Sequence, residues 1–162
     1  MYDSFCAVAR RINTELSVLP LLYGSVGLQR LLQSDSLRPD DIDILLPKNC
    51  LEEDWPNLLC LMRGEGYALI DEHKHVFRRG AVEISFEVND LDGYAGIELS
   101  EALSVEDQGA SYTLLNLKQY LALYKEFTRD RYRRRVKRKY RSDREKICMI
   151  RQALRNQKHP TG

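Results

Sequence analysis

Residues 21–47 read LLYGSVGLQRLLQSDSLRPDDIDILLP. An apolar run ends in Gly24-Ser25, a helical stretch follows, and a second apolar run carries Asp41 and Asp43 among Ile and Leu. Strand side chains two apart share a face and lie roughly 6 to 7 Å apart along it, so Asp41 and Asp43 set two negative charges side by side. Aligned carboxylates repel unless a cation lies between them. Hard divalent cations such as magnesium take carboxylate oxygens and share their remaining positions with water and phosphate, so the pair points to a metal and a phosphate together.

The residues just upstream suit the phosphate. Glycine at position 24 lets the chain turn sharply from strand to helix and lets a ligand approach the backbone closely. The amides at that helix start, with the Ser25 hydroxyl, can hold a phosphate through hydrogen bonds and the helix dipole. Ser25 is also the expected cap of the helix, which runs to about Gln33; Asp35-Ser36 and Arg38-Pro39 then supply turn chemistry before the strand from Asp41 to Leu46.

Outward from this core, Phe5, Val8, Ala9, Ile12 and Leu16 recur at helical spacing and predict an amphipathic opening helix over 3–17. Val18 to Tyr23 reads as a short buried strand and Leu51 to Arg63 as a helix ended by Gly64 and Gly66. Tyr67 to Ile70, Val76 to Arg79 and Val82 to Val88 read as strands, the last two joined by a tight turn at Gly80. No periodicity is decisive between Asn89 and Gly109. From Leu115 the pattern of Leu117, Tyr120, Leu121 and Tyr124 is helical, and a second long helix is expected from about Asp130 to Leu154. The fold class is α+β, a small mixed β-sheet with flanking helices and a helical C-terminal third. The expected division is a core over 1–110 and a helical segment over 111–162 packed on it, together one compact domain.

At 162 residues and 43% hydrophobic content the chain suits one such domain. It shows no basic and apolar leader and no apolar run approaching about 18 residues, so a cytoplasmic protein is expected. Cys6, Cys50, Cys60 and Cys148 form no Cys-x-x-Cys pair, which argues for reduced, mostly buried thiols rather than a zinc ribbon or disulfide framework. The net charge of +1 conceals an asymmetry: Arg129 to Lys146 holds eleven Lys or Arg against three acids, a local +8. Such a stretch either attracts a polyanion by salt-sensitive electrostatics or is a solvated helix face.

The order Gly24-Ser25, helix, Arg38, then Asp41-Ile42-Asp43 in an apolar strand resembles the nucleotidyltransferase superfamily that includes DNA polymerase β. The pattern is closest to the AbiEii-like and aminoglycoside-type minimal enzymes. The resemblance implies that Gly24 and Ser25 position a nucleoside triphosphate and that Asp41 and Asp43 hold Mg2+ or Mn2+. It also implies a third acid on a later strand. VEISFEV offers Glu83 and Glu87, and the Val-Glu-Ile-Ser-Phe context resembles the third-acid strand of AbiEii-like families, which favours Glu83 with Glu87 as fallback. Lys125, Arg129 and Asp143 match, more loosely, a lysine-bearing helix beside the nucleotide. Lys125 or Arg38 would then offset phosphate charge. Two departures stand out: Gly-Ser-Val-Gly replaces the usual start, and the third acid is Glu rather than Asp.

The implied activity is metal-dependent transfer of a nucleoside monophosphate from the triphosphate to an acceptor hydroxyl on a small molecule, a protein or an RNA end. In that chemistry two ions roughly 3.5 to 4 Å apart clamp an in-line attack at the α-phosphate. The competing reading is a nucleotide- or partner-binding module with little or no activity, within a toxin and antitoxin or other two-component system. The chain has little room for a separate acceptor domain, so a homodimer or a partner protein is expected to complete the site. Glu72-His73-Lys74-His75 reads as a hairpin-edge pair of ordinary histidines rather than a zinc site. Tyr120 and Tyr124 read as helix packing, Tyr132 and Tyr140 as candidate stacking platforms among basic residues, and Trp55 as the anchor of its helix.

Overall fold

In the computed structural model, which describes residues 1–158, the chain divides into two compact units: Met1–Asn89 with Leu103–Leu114, and Asp90–Ala102 with the chain from Leu115 onward. The sequence-based boundary at 110 therefore falls on the first residue of a strand, β7, that belongs to the first unit. The last four residues of the expected segment 111–162 lie outside the described residues.

The first unit opens with α1 (Tyr2–Arg11), which continues into a wider π-helical turn over Ile12–Leu16 and ends at Ser17, whose φ is 54°. Phe5, Cys6, Val8, Ala9 and Ile12 are buried, as their spacing requires. There follow β1 (Leu21–Tyr23), α2 (Gly24–Leu32), β2 (Ile42–Leu46), α3 (Lys48–Leu51), α4 (Trp55–Gly64), β3 (Ala68–Asp71), β4 (Val76–Arg79) and β5 (Val82–Val88). The expected single helix over 51–63 is thus two helices, separated by a turn at Glu52 to Asp54, with Trp55 opening the second against His75 and Phe77. Glu72 to His75 form the β3–β4 turn, so His73 and His75 are residues of a hairpin turn.

The unit is completed by a hairpin absent from the expected elements, β6 (Leu103–Asp107) and β7 (Ala110–Leu114). All strands join one seven-stranded mixed sheet in the order β3-β4-β5-β2-β1-β7-β6. β2 lies at its centre, antiparallel to β1 and parallel to β5. A central strand covered on both faces should be continuously apolar. Ile42, Ile44, Leu45 and Leu46 obey this and are buried, whereas Asp43 interrupts them.

The second unit holds α5 (Leu91–Ala95), a single 3₁₀ turn at Leu99–Glu101, α6 (Leu117–Arg129), α7 (Arg131–Arg135) and α8 (Tyr140–Lys158). Asn116 starts α6 with a reciprocal capping box: its side chain accepts from the Gln119 amide (3.0 Å) and the Gln119 side chain accepts from the Asn116 amide (2.9 Å). The Gln119 and Asn116 side-chain amides also donate to the carbonyls of Glu98 and Glu101, which ties the loop after α5 to the helix start. α6 packs on α8; Tyr120, Leu123 and Tyr124 are buried on the first and Ile147 and Ile150 on the second. The long helix expected from Asp130 to Leu154 is broken between α7 and α8. No helix among the described residues is long and apolar enough to cross a membrane. All four cysteines are free, but only Cys6 and Cys50 are buried; Cys60 and Cys148 are exposed.

Candidate functional site

An aspartate inside a central apolar strand must have compensating partners, because an uncompensated buried charge is costly. For Asp43 the sheet supplies them. Across the antiparallel β1–β2 pair it lies opposite Tyr23, and across the parallel β2–β5 pair opposite Ser85. The Ser85 hydroxyl donates to Asp43 Oδ1 at 3.0 Å. On the other side Asp43 Oδ2 approaches Gly24: a Cβ at that position would stand 2.3 Å from this oxygen. Gly24 also has φ +69°, in the region open to glycine. The glycine expected to admit a phosphate is thus required by the strand aspartate as well.

The helix α2 begins at Gly24 itself, with Tyr23 as the preceding residue and no side-chain cap. Ser25 therefore lies inside the first turn, half-buried, and is not the cap that its position in the sequence implied. Arg38 is exposed in the connection to β2. That connection is held by Gln29, whose side-chain amide donates to the carbonyl of buried Leu37 at 2.9 Å.

Asp41 immediately precedes β2, half-buried, and continuing the strand alternation puts it on the face of Asp43. The same alternation and the β2–β5 register put Glu83, Ser85 and Glu87 on that face of β5, with Ser85 level with Asp43 and Glu87 level with Leu45. Glu83 is one position outside the paired stretch, level with Asp41. Its carboxylate accepts from Arg78 of β4 at 2.7 Å. Glu87 accepts from the Tyr23 hydroxyl at 2.9 Å.

Among the described residues no three His, Cys, Asp or Glu side chains converge into a group that could hold a metal ion. What the structure brings together is Gly24, Asp43 and Ser85, with Asp41 beside them in the chain. Two half-buried carboxylates two residues apart fit a hard cation whose other positions go to phosphate and water. Ser85 and Tyr23 are the residues that sequence reasoning missed. The alternation of VEISFEV marks Ser85 as a face-mate of both glutamates, but only the strand register shows it to be the neighbour of Asp43.

Lys125 is exposed on α6, in the second unit. Arg129 pairs with Glu126 one turn earlier at 2.5 Å. Asp143 is fully buried and takes both arms of Arg133, Nε at 2.6 Å and Nη2 at 3.0 Å. Arg129 and Asp143 are thus engaged by local partners of their own.

No protein-family model matches the chain. It is 38% identical over 157 residues to the uncharacterized protein YnaI of Bacillus subtilis (strain 168), covering 96% of this chain and 99% of that protein. The fold is similar to that of an antigenic nucleotidyltransferase-like protein from Paracoccidioides brasiliensis, with TM-score 0.58, 14% identity, and 91% of this chain and 73% of the other covered. It is also similar to the solution structure of the antibiotic-resistance factor ANT(2'')-Ia, with TM-score 0.55, 15% identity, and 96% and 91% covered. The chain belongs to the family of YnaI, and its fold is nucleotidyltransferase-like.

Proposed function

We propose that this member of the YnaI family, with its nucleotidyltransferase-like fold, is a nucleotidyltransferase that binds a nucleoside triphosphate with Mg2+ or Mn2+ and moves its nucleoside monophosphate to an acceptor hydroxyl. The observation that carries the reading is the approach of Gly24 to Asp43. A strand aspartate directed at a glycine turn at the start of a helix is the arrangement that a cation-bound phosphate needs, with carboxylate on one side and backbone amides on the other.

In this reading Asp41 and Asp43 hold the ion, and Glu83 is the third acid, exchanging Arg78 for it. Glu87 is the fallback. A bound divalent ion supplies charge stabilisation at the phosphates and lowers the pKa of an oxygen nucleophile. Ser85 orients the Asp43 carboxylate through its hydroxyl. Gly24 and Ser25 present first-turn amides to the phosphates, and Arg38 offsets their charge. Lys125 remains a phosphate-binding candidate on the family resemblance alone. The acceptor belongs to one of three classes: a small molecule, a protein or an RNA end.

The second reading, a nucleotide-binding module without transfer, is favoured by one specific observation: a serine rather than an acid stands beside Asp43 on β5. A thermal-shift titration followed by a pyrophosphate-release assay separates the two. Saturating Mg2+ and triphosphate at about a hundred times the dissociation constant should stabilise the protein by about 2.7 kcal/mol, and Asp43→Asn should remove that gain. Equal shifts in wild type and variant would refute the assignment of the site. Stabilisation without pyrophosphate release in the presence of varied acceptors would select the binding module.

A further inference from the structure

The basic stretch of the second unit is arranged more specifically than its composition requires. Arg131, Arg134 and Arg135 occupy positions i, i+3 and i+4 of α7 and so share one face. Together with Tyr140, at the start of α8, they line an open concavity of about 470 Å3. All four residues are exposed, and the Arg134 guanidinium lies 4.8 Å from the centre of the Tyr140 ring. Arg144 approaches the same ring at 5.9 Å.

The acids of the stretch are engaged elsewhere. Asp130 accepts from the backbone amide of Arg133 at 3.0 Å and starts α7. Asp143 is held by both arms of Arg133, whose guanidinium also stacks 4.0 Å from the Phe127 ring centre. Glu145 pairs with Arg141 at 3.2 Å. Arg133 is therefore the structural arginine of the stretch, and the three around the concavity share it with no acid among its lining residues. Like charges so gathered repel, and packing alone does not call for them.

We infer that this concavity is a binding surface for single-stranded nucleic acid, with Arg131, Arg134 and Arg135 on backbone phosphates and Tyr140 as a stacking platform for a base. Flexible strands are bound by this combination of a cationic groove with an aromatic face, whichever bases they carry. An anionic membrane is the weaker match. Interfacial helices carry a continuous apolar stripe, whereas the large apolar side chains exposed in this stretch are Tyr132, Val136 and Tyr140, two of them tyrosines with a polar hydroxyl.

The test is fluorescence anisotropy of a labelled, mixed-sequence single-stranded oligoribonucleotide with the full chain, titrated across salt concentrations. Wild type should bind, and more tightly than to the corresponding duplex. The triple variant Arg131→Gln, Arg134→Gln, Arg135→Gln should bind at least tenfold more weakly, and its salt slope should be flatter by about 2 units, three phosphate contacts at roughly 0.7 each. Tyr140→Leu should lose about tenfold while Tyr140→Phe retains wild-type affinity. Asp43→Asn should bind as wild type does, so this surface stands or falls apart from the transfer reading. Absence of wild-type binding at low salt, unchanged affinity in a natively folded triple variant, or binding of phosphatidylserine vesicles in place of the oligonucleotide would each overturn it. Should the triple variant fail to fold, the wild-type titration and the contrast between Tyr140→Leu and Tyr140→Phe still decide the matter.

Discussion

Asp43 Oδ2 and Gly24 are so close that the methyl group of an alanine at 24 would meet the carboxylate oxygen at 2.3 Å. The strand aspartate and the turn glycine are one structural unit. The φ of +69° at Gly24 independently disfavours any other residue there.

Gly24→Ala should therefore be destabilising beyond the usual effect of adding a methyl group. The left-handed backbone alone costs about 1 to 2 kcal/mol for a residue with a Cβ, and the displaced carboxylate adds to it. Denaturant unfolding should show the loss, and the variant should also fail to gain stability from Mg2+ with triphosphate. Wild-type stability in Gly24→Ala would contradict the geometry.

Ser85→Ala removes a donor to an ionised carboxylate, and the expected loss is about 1.5 kcal/mol, at the low end for such bonds because the site is only half-buried. Ser85→Asp is more informative. It would put a second negative charge level with Asp43, so the variant should melt lower than wild type in chelator and gain more than wild type when Mn2+ is added. A melting temperature indifferent to Mn2+ in Ser85→Asp would mean that this part of the sheet holds no cation.

Glu83 and Glu87 make separable predictions. Glu83 sits in an exposed ion pair with Arg78, worth under about 1 kcal/mol, so Glu83→Gln should leave the unliganded stability almost unchanged. If Glu83 is the third acid, that variant should lose most of the stabilisation by Mg2+ and triphosphate while Glu87→Gln keeps it. The reverse pattern would transfer the role to Glu87, and full retention in both would leave Asp41 and Asp43 to act without a third carboxylate.

Tyr2 gives the pH dependence. Its hydroxyl donates to Asp107 and shares a 2.8 Å hydrogen bond with Tyr112, while Arg30 reaches the same Asp107 oxygen at 2.7 Å. Burial, then these hydrogen bonds, raise the Tyr2 pKa above its ordinary value of 10.0. The folded state thus holds the proton more tightly than the unfolded chain. Stability from this group is complete below pH 10 and declines as pH rises above it. Thermal melts of wild type should fall through that alkaline range, and Tyr2→Phe, although less stable at neutral pH, should fall less steeply. Parallel declines would remove Tyr2 from the account.

Much of the local structure was legible because short-range rules decide it. The strands Val76–Arg79 and Val82–Val88 were bounded by alternation and by the turn at Gly80, and α6 by its helical spacing. The β6–β7 hairpin was harder to read because only one of its strands has a buried face: ASYTL alternates and buries Ala110, Tyr112 and Leu114, whereas LSVED, at the sheet edge, buries none of its side chains fully. The break between α7 and α8 was hidden because Val136 to Lys139 contains no glycine or proline to mark it.

The α+β class, the glycine turn after β1, and the position of Asp41 and Asp43 at the start of a buried strand all follow from the order of residues, because spacing of two and burial are properties of a local segment. Which residue of VEISFEV stands beside Asp43 is a matter of tertiary structure alone. Parallel register between β2 and β5 is set by packing of strands distant in the chain, and it places Ser85 there and leaves Glu83 to Arg78 and Glu87 to Tyr23. The same holds for the basic stretch, whose composition counts eleven cations alike. Burial of Asp143 makes Arg133 its structural partner and leaves Arg131, Arg134 and Arg135 around Tyr140.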